Sequence, residues 1–257
     1  KKICVINKKN VQHNFNNKAT IYNDCALIQK TAAKKLCDLA KDYINDDATI
    51  LDLGSGTSFI AKNLLLFQKN LKIFEVDFAK KMLDHWQDRP KNVTPILADI
   101  ENLPFKNNET FDIIFSSFAL QWIDNFEQLF TNLYSLLKQN GLIIFCLPTE
   151  KTFAEIRDAN KKSGCNFSIR NLANQASIRQ SLLDIGFKEN FFISEIVNQK
   201  YQNAAESLKE FKKIGTNYSE NSKTIITKKN LQKFNLFFSQ NSNNIASWHL
   251  CYLIFKK

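Results

Sequence analysis

Residues 48–56, ATILDLGSG, carry the reading of this chain: an apolar run ends on Asp52, and two of the six glycines follow two residues apart at Gly54 and Gly56. Glycines at the end of a strand make a turn whose backbone a ligand can approach, with a helix starting behind it. Three more short apolar runs follow, KIFEVD from residue 72, VTPILAD from 93 and FDIIFSS from 111. Helical stretches near 57–67 and 79–88 and a looser segment at 99–110 separate them. Strand–helix alternation of this kind predicts a parallel sheet.

Working outward, Ile28, Ala32, Leu36, Leu39, Ala40 and Tyr43 fall on one helical stripe within residues 26–43. NFEQLFTNLYSLLKQNG reads as a helix opened by Asn125 and closed by Gly141, and LIIFCLP as a fifth strand. Beyond Pro148 the segment 150–174 is polar and basic, 175–185 helical, 191–197 (FFISEIV) a strand, 204–213 and 228–240 helical, and 248–255 (WHLCYLIF) a last strand. The two late strands are expected to pair at one sheet edge. The expected architecture is one α/β domain over 1–257, a Rossmann-like seven-stranded sheet with an N-terminal helical segment at 13–45 lying over the ligand site at Gly54 and Gly56, and helical cap insertions at 150–175 and 198–245.

A chain of 257 residues, 44% hydrophobic with 22 Phe, can bury a large core, which excludes disordered and fibrous classes. Cys4, Cys25, Cys37, Cys146, Cys165 and Cys251 contain no CxxC pair and come no closer than twelve residues. They predict free thiols in a reducing compartment and no metal site. No apolar run reaches the roughly 18 residues of a membrane span, so a soluble cytoplasmic protein is expected. The net charge of +10 is uneven: residues 1–141 hold 18 Lys/Arg against 16 Asp/Glu, and residues 142–257 hold 17 against 9. A basic half can meet nucleic acid, an anionic membrane or an acidic protein, or be a solvated face alone.

Asp77 ends the second strand 23 residues after Gly54, which suits a carboxylate gripping two ribose hydroxyls. A tight turn plus a strand-end Asp in any Rossmann-like domain would look the same. The wider pattern resembles the class I S-adenosylmethionine-dependent methyltransferases. DLGSG gives their D-x-G-x-G order, VDFAKKML their segment after the second strand, ADIENLPF that after the third and FDIIFSSFALQW the fourth. The resemblance implies that Asp52, Gly54, Ser55 and Gly56 take the amino acid end of the cofactor and Asp77 its ribose. It further places Phe78 and Met82 beside the adenine, Asp99 and the Ile100 amide at the adenine edge, and Ser116 facing the sulfonium.

Within that superfamily, FNNKATIYNDCALIQ, DIENLPFKNNETFDIIFSSFALQWIDNF and FKKIGTN together are similar to the malonyl-acyl-carrier-protein O-methyltransferases of biotin synthesis. The first fits F-x3-A-x2-Y-x3-A-x2-Q at Phe15, Ala19, Tyr22, Ala26 and Gln29; Ser117 stands where that family has Asn. The resemblance implies methyl transfer from S-adenosylmethionine to the carboxylate of a malonyl thioester on an acidic acyl carrier protein, with no nucleic acid or membrane partner. Tyr22 and Arg170 are then the candidates for directing the carboxylate, and Phe118 and Trp122, with Phe153 or Phe167, for an apolar substrate wall. Lys161, Lys162, Lys209, Lys212 and Lys213 are the candidates for carrier docking. A carboxylate is ionised at neutral pH and needs no general base, so His13, His85 and His249 are read as packing or surface residues. LQW at 120–122 also keeps open a methyltransferase for a free small polycarboxylate, and a non-enzymatic cofactor-binding partner stays open too. A nucleic-acid amino-methyltransferase would carry a Pro-Pro-aromatic run where this chain has SSFA.

Overall fold

The computed structural model of the chain describes residues 7–105, 110–165, 171–213 (backbone alone from 210) and 227–257. The first two helices, α1 (Lys8–Cys25) and α2 (Leu27–Ala40), meet at the buried Ala26. The expected segment at 13–45 thus starts five residues early, because Asn7 caps α1 by accepting from the Asn10 amide at 3.2 Å. Then follow β1 (Thr49–Leu53), α3 (Phe59–Leu64), β2 (Lys72–Asp77), α4 (Lys80–Leu83), β3 (Val93–Leu97) and β4 (Phe111–Ser117). The second half holds α5 (Phe126–Leu136), β5 (Leu137–Pro148), α6 (Ala154–Ser163), α7 (Gln175–Ile185), β6 (Lys188–Lys200), α8 (Ala204–Lys213), α9 (Lys228–Ser242) and β7 (Ile245–Lys256).

The seven strands form one sheet in the order β3-β2-β1-β4-β5-β7-β6. The strands from β1 to β5 are mutually parallel and β7 runs antiparallel to β5 and β6, so the two late strands do close one edge. The order reverses between β1 and β4, and in open α/β sheets the crevice beyond the carboxyl ends at that reversal is where ligands bind.

Both faces of the central strands β1, β4 and β5 are covered, which explains why they read as continuous apolar runs. Ile113, Phe115, Ile144 and Cys146 pack with α2, α3, α6 and α9, while Ile114, Ile143, Phe145 and Leu147 pack with α5 and α7. Asn125 caps α5 as expected, but the helix stops at Leu136, not Gly141. Leu137 turns extended and pairs with Phe111, and Gly141 sits at the register shift that follows. A Cβ at Gly141 would stand 2.9 Å from the Lys138 carbonyl oxygen, so the glycine serves the bulge rather than the helix end.

The polar stretch 150–174 contains α6, which buries the apolar Ile156 and Ala159. It packs on α9 and is tied to it by Asn230 Nδ2 donating to the Gly164 carbonyl at 3.1 Å. Among the described residues Cys25, Cys37, Cys146, Cys165 and Cys251 are free thiols, no group of His, Cys, Asp and Glu could hold a metal ion, and no helix is long and apolar enough to cross a membrane. Cys4 lies outside the described residues.

Candidate active site

The loop after β1 is held by the neighbouring strand: the Gly54 and Ser55 amides both donate to the Val76 carbonyl, at 2.8 and 3.0 Å. Gly54 has φ +67°, and a Cβ there would lie 2.2 Å from Ala119 Cβ, so backbone and packing both require glycine. Gly56 has φ +55°, and a Cβ there would meet Met82 Cε at an ordinary 3.5 Å; conformation and the adjoining cavity, rather than a clash, fix it. Its amide donates to Asp77 Oδ2 at 2.9 Å, while Asp77 Oδ1 accepts from the Ala79 amide at 2.8 Å. Burial pushes the Asp77 pKa up to about 6 against these N–H bonds, which work to lower it.

Asp52 is 1% exposed, and neither carboxylate oxygen has a hydrogen-bond partner among the described residues. Burial first, and then the nearby Glu75 and Asp77, hold its pKa well above the ordinary carboxylate range. An uncompensated buried carboxylate is costly, and a ligand that brings a cationic or donor group relieves it. Glu75, fully buried, is paired with Arg89 Nε at 2.8 Å.

Helix α1 roofs the space beside this loop. Lys8, Val11, Phe15 and Tyr22 share one stripe of α1 and line a cavity with about 870 Å³ of empty space, solvent-connected space included. Polar contacts seat the roof on two loops and α4: Gln12 Nε2 donates to the Phe78 carbonyl at 2.5 Å, Asn16 Oδ1 accepts from the Lys81 amide at 2.9 Å, and Asn23 Oδ1 accepts from Thr57 Oγ1 at 2.6 Å. Lys8 bridges Asp99, at 2.6 Å, and Glu101; burial disfavours its charge, but these two carboxylates outweigh burial and raise its pKa. The Phe15 ring meets Trp122, Tyr22 and Phe78 with centroids 6.0, 6.2 and 6.5 Å apart, and Tyr22 stacks on Phe59 at 6.1 Å. Burial, reinforced by Asp77, lifts the Tyr22 pKa well above that of an ordinary phenol.

One cavity therefore brings together Asp52, Gly54, Ser55 and Gly56 from the first loop, Asp77, Phe78 and Met82 from the second, Asp99 and Ile100 from the third, and Phe118 and Trp122 after β4, with Tyr22 from the roof. Ser116 is the correction: its hydroxyl turns away and donates to the Leu53 carbonyl at 2.9 Å, whereas Ser117 lines the cavity. Side chains alternate along a strand, so one residue decides the side. Phe153 packs against Trp248 at 4.4 Å instead of lining the cavity. Arg170 and Phe167 lie outside the described residues, as do the side chains of Lys212 and Lys213.

None of the three histidines lines the cavity. His13 is on α1 with Nε2 2.8 Å from Asn17 Nδ2, and His249 faces a separate depression beside Glu150 and Gln175. Lys8, Gln29, Phe59 and Ser117 are cavity residues to which the sequence motifs assign no role there. The seven-residue step from Lys8 to Phe15 to Tyr22 is the signal that marks the roof's inner face.

These residues fit S-adenosylmethionine: an unpartnered Asp52 carboxylate for its ammonium, Asp77 for its ribose, and Phe78, Met82 and Ile100 as apolar flanks for its adenine.

Residues 51–145 match the model of a methyltransferase domain family. The malonyl-[acyl-carrier protein] O-methyltransferase 2 of Coxiella burnetii is 30% identical over 212 residues, 82% of this chain and 82% of that protein. Malonyl-[acyl-carrier protein] O-methyltransferase 1 of Ilyobacter polytropus is 27% identical over 268 residues, covering 99% and 97%. Among solved structures, a Bacillus halodurans protein described as a methyltransferase superposes with a TM-score of 0.63 over 88% of this chain and 99% of that one; at 14% identity this likeness speaks for the fold alone.

Proposed function

This chain belongs to the malonyl-[acyl-carrier protein] O-methyltransferase family, and on that premise we propose that it methylates the free carboxylate of a malonyl group carried by an acyl carrier protein, giving the methyl ester that primes pimeloyl and biotin synthesis. The observation that carries the proposal is a single cavity that joins the strand-end carboxylates Asp52 and Asp77 to the Tyr22 hydroxyl and an aromatic wall, with no histidine among its lining residues.

S-adenosylmethionine supplies, when bound, a methyl group on a sulfonium centre that a carboxylate oxygen can attack. Asp77 would accept from its ribose hydroxyls, Asp52 would take its ammonium, and Asp99, paired with Lys8, would meet its adenine edge. The malonyl carboxylate is ionised at neutral pH, so no side chain has to remove a proton. Tyr22 stays protonated because of its burial and the negative charge of Asp77, and it serves as a hydrogen-bond donor, not a base. Phe15, Phe118 and Trp122 exclude water around an anion and a cation that neutralise one another on the way to product. Positioning thus supplies much of the acceleration.

The finer partner reading is an acidic carrier docked on the cap. Lys161 and Lys209 extend from the cap helices α6 and α8, and Lys162 is shared with Asp158 at 2.7 Å. A reducing cytoplasmic setting suits the buried free thiols. Labelled S-adenosylmethionine incubated with malonyl carrier protein, malonyl pantetheine, free malonate and trans-aconitate tests the proposal. Transfer to the malonyl thioesters is the expected result; transfer to the free acids alone replaces it with a polycarboxylate methyltransferase, the reading that LQW at 120–122 leaves open.

A further inference from the structure

Carboxylate recognition in this cavity has an unusual constraint. Among its described lining residues Lys8 is the sole cation, and Asp99 and Glu101 already engage it. Three carboxylates, those of Asp52, Asp77 and Asp99, line the same space. An incoming carboxylate therefore meets an excess of negative charge and has to be held by neutral donors.

Besides Tyr22, and Ser55 of the loop that the cofactor's amino acid end would occupy, two such donors stand ready. Gln29, in the first turn of α2, is 6% exposed and lines the cavity, yet its amide has no hydrogen-bond partner among the described residues. Ser117, the last residue of β4, presents a buried hydroxyl that is likewise without a partner among them and lines the same cavity. Buried polar side chains are nearly always hydrogen-bonded, so two orphaned ones in one cavity mark places where a ligand completes the bonding. Apolar residues near them belong to the core, Ala32 and Ala33 from α2 and Phe115 from β4.

We propose that Gln29 and Ser117 bind the acceptor carboxylate, the amide N–H and the hydroxyl donating to it alongside Tyr22, so that the nucleophile is oriented by neutral donors and not by a guanidinium or ammonium. Neutral donors fix the direction of attack without forming an ion pair that the reaction would have to break. The inference rests on a carboxylate acceptor as proposed above, and it assigns the carboxylate to residues other than Arg170.

The test uses full-length Gln29→Leu, Gln29→Glu, Ser117→Ala and Arg170→Ala proteins, with malonyl pantetheine kinetics, S-adenosylhomocysteine calorimetry and a thermal melt for each. Gln29→Leu and Ser117→Ala should each raise the KM for malonyl pantetheine about tenfold or more while leaving S-adenosylhomocysteine affinity within about twofold. Gln29→Glu should raise it further at neutral pH and recover as the pH falls and the new carboxyl protonates, a signature that a packing role does not give. A loss of S-adenosylhomocysteine affinity in Gln29→Leu with an unchanged acyl KM would assign the amide to the methionine end of the cofactor and overturn the proposal. So would wild-type acyl KM values in both variants beside a raised one in Arg170→Ala. If the wild-type protein methylates only a free polycarboxylate, the malonyl-carrier reading fails by itself, and the same variants assayed on that acid decide the present inference by the same criteria.

Discussion

The parallel part of the sheet and its antiparallel edge are built on different principles. From β1 to β4 the strands are short and end at the cavity, and polar groups are buried there, some tied to their neighbours, as Asp77 is to the Gly56 and Ala79 amides and Glu75 to Arg89, and others, Asp52 and Ser117, without a partner among the described residues. β6 and β7 are 13 and 12 residues long, and most of β6 is open to solvent. Helices α6, α8 and α9, around this edge, are rich in lysine. Charge follows the same division, nearly balanced over residues 1–141 and strongly basic over 142–257. The contrast teaches that the cavity end is specified by local turn chemistry and buried electrostatics, whereas the edge proposed to dock a carrier presents exposed charge that salt can screen.

The sharpest way to break this division is to disable one side. Asp77→Ala and Gly56→Val should each remove measurable S-adenosylhomocysteine binding in calorimetry while the protein stays folded, because one deletes the ribose acceptor and the other fills the approach to the backbone. Unchanged affinity in both would put the cofactor elsewhere.

Stability should divide in the same way. Arg89→Ala strands Glu75 in the core and should cost about 3 kcal/mol in urea denaturation, since breaking a buried pair leaves a charge uncompensated. Asp158→Asn, which breaks a half-exposed pair on α6, should cost less than about 0.5 kcal/mol. Comparable costs would erase the distinction between buried and exposed electrostatics.

Titration gives a smaller effect. Asp77 has to be ionised to accept both ribose hydroxyls, and burial pushes its pKa up to about 6, so its contribution to S-adenosylhomocysteine affinity, read as the difference between wild type and Asp77→Asn, should be level above that value and fall as the pH drops through it. The loss approaches about tenfold per unit below the pKa, and Asp77→Asn should flatten the profile. With saturating cofactor, kcat should stay nearly constant from about pH 6 to 8, because the acceptor needs no base. A single ascending limb near about 6.5, the ordinary His pKa, would restore a histidine base and direct attention to His249.

The smallest effect is at the partner end. The KM for malonyl carrier protein should rise several-fold with salt, since exposed charges are screened over about 8 Å at physiological ionic strength, while the KM for malonyl pantetheine barely changes. Reversing Lys212 and Lys213 to Glu should weaken the carrier reaction and spare the pantetheine one. Equal salt dependence for both substrates would leave the excess charge as a solubility feature.

Much of this organisation is legible in the residues themselves. The seven strands, the pairing of the late two at one edge, and the loops carrying Asp52, Gly54, Gly56 and Asp77 follow from apolar runs and glycine positions, because each depends on a few neighbouring residues, whereas the antiparallel direction of the late pair does not. α6 is less legible: its sequence is mostly polar, and it is a helix in the fold because Ile156 and Ala159 find α9 across more than sixty residues of chain. The end of α5 escapes a local reading for a related reason, since Gly141 looks like a helix stop until the pairing of Leu137 with Phe111 makes it part of a bulge.

By itself, then, the sequence determined the sheet, the cofactor loops and the family, all of which are encoded within contiguous motifs. Only the tertiary structure decided which of two adjacent serines faces the cavity, which contacts seat α1 as its roof, and that Gln29 reaches it with no partner among the described residues. The side on which Ser117 lies depends on how β4 is sandwiched, and the roof depends on contacts such as Lys8 to Asp99, 91 residues apart. Such contacts are selected by packing between distant elements, and no local periodicity records them.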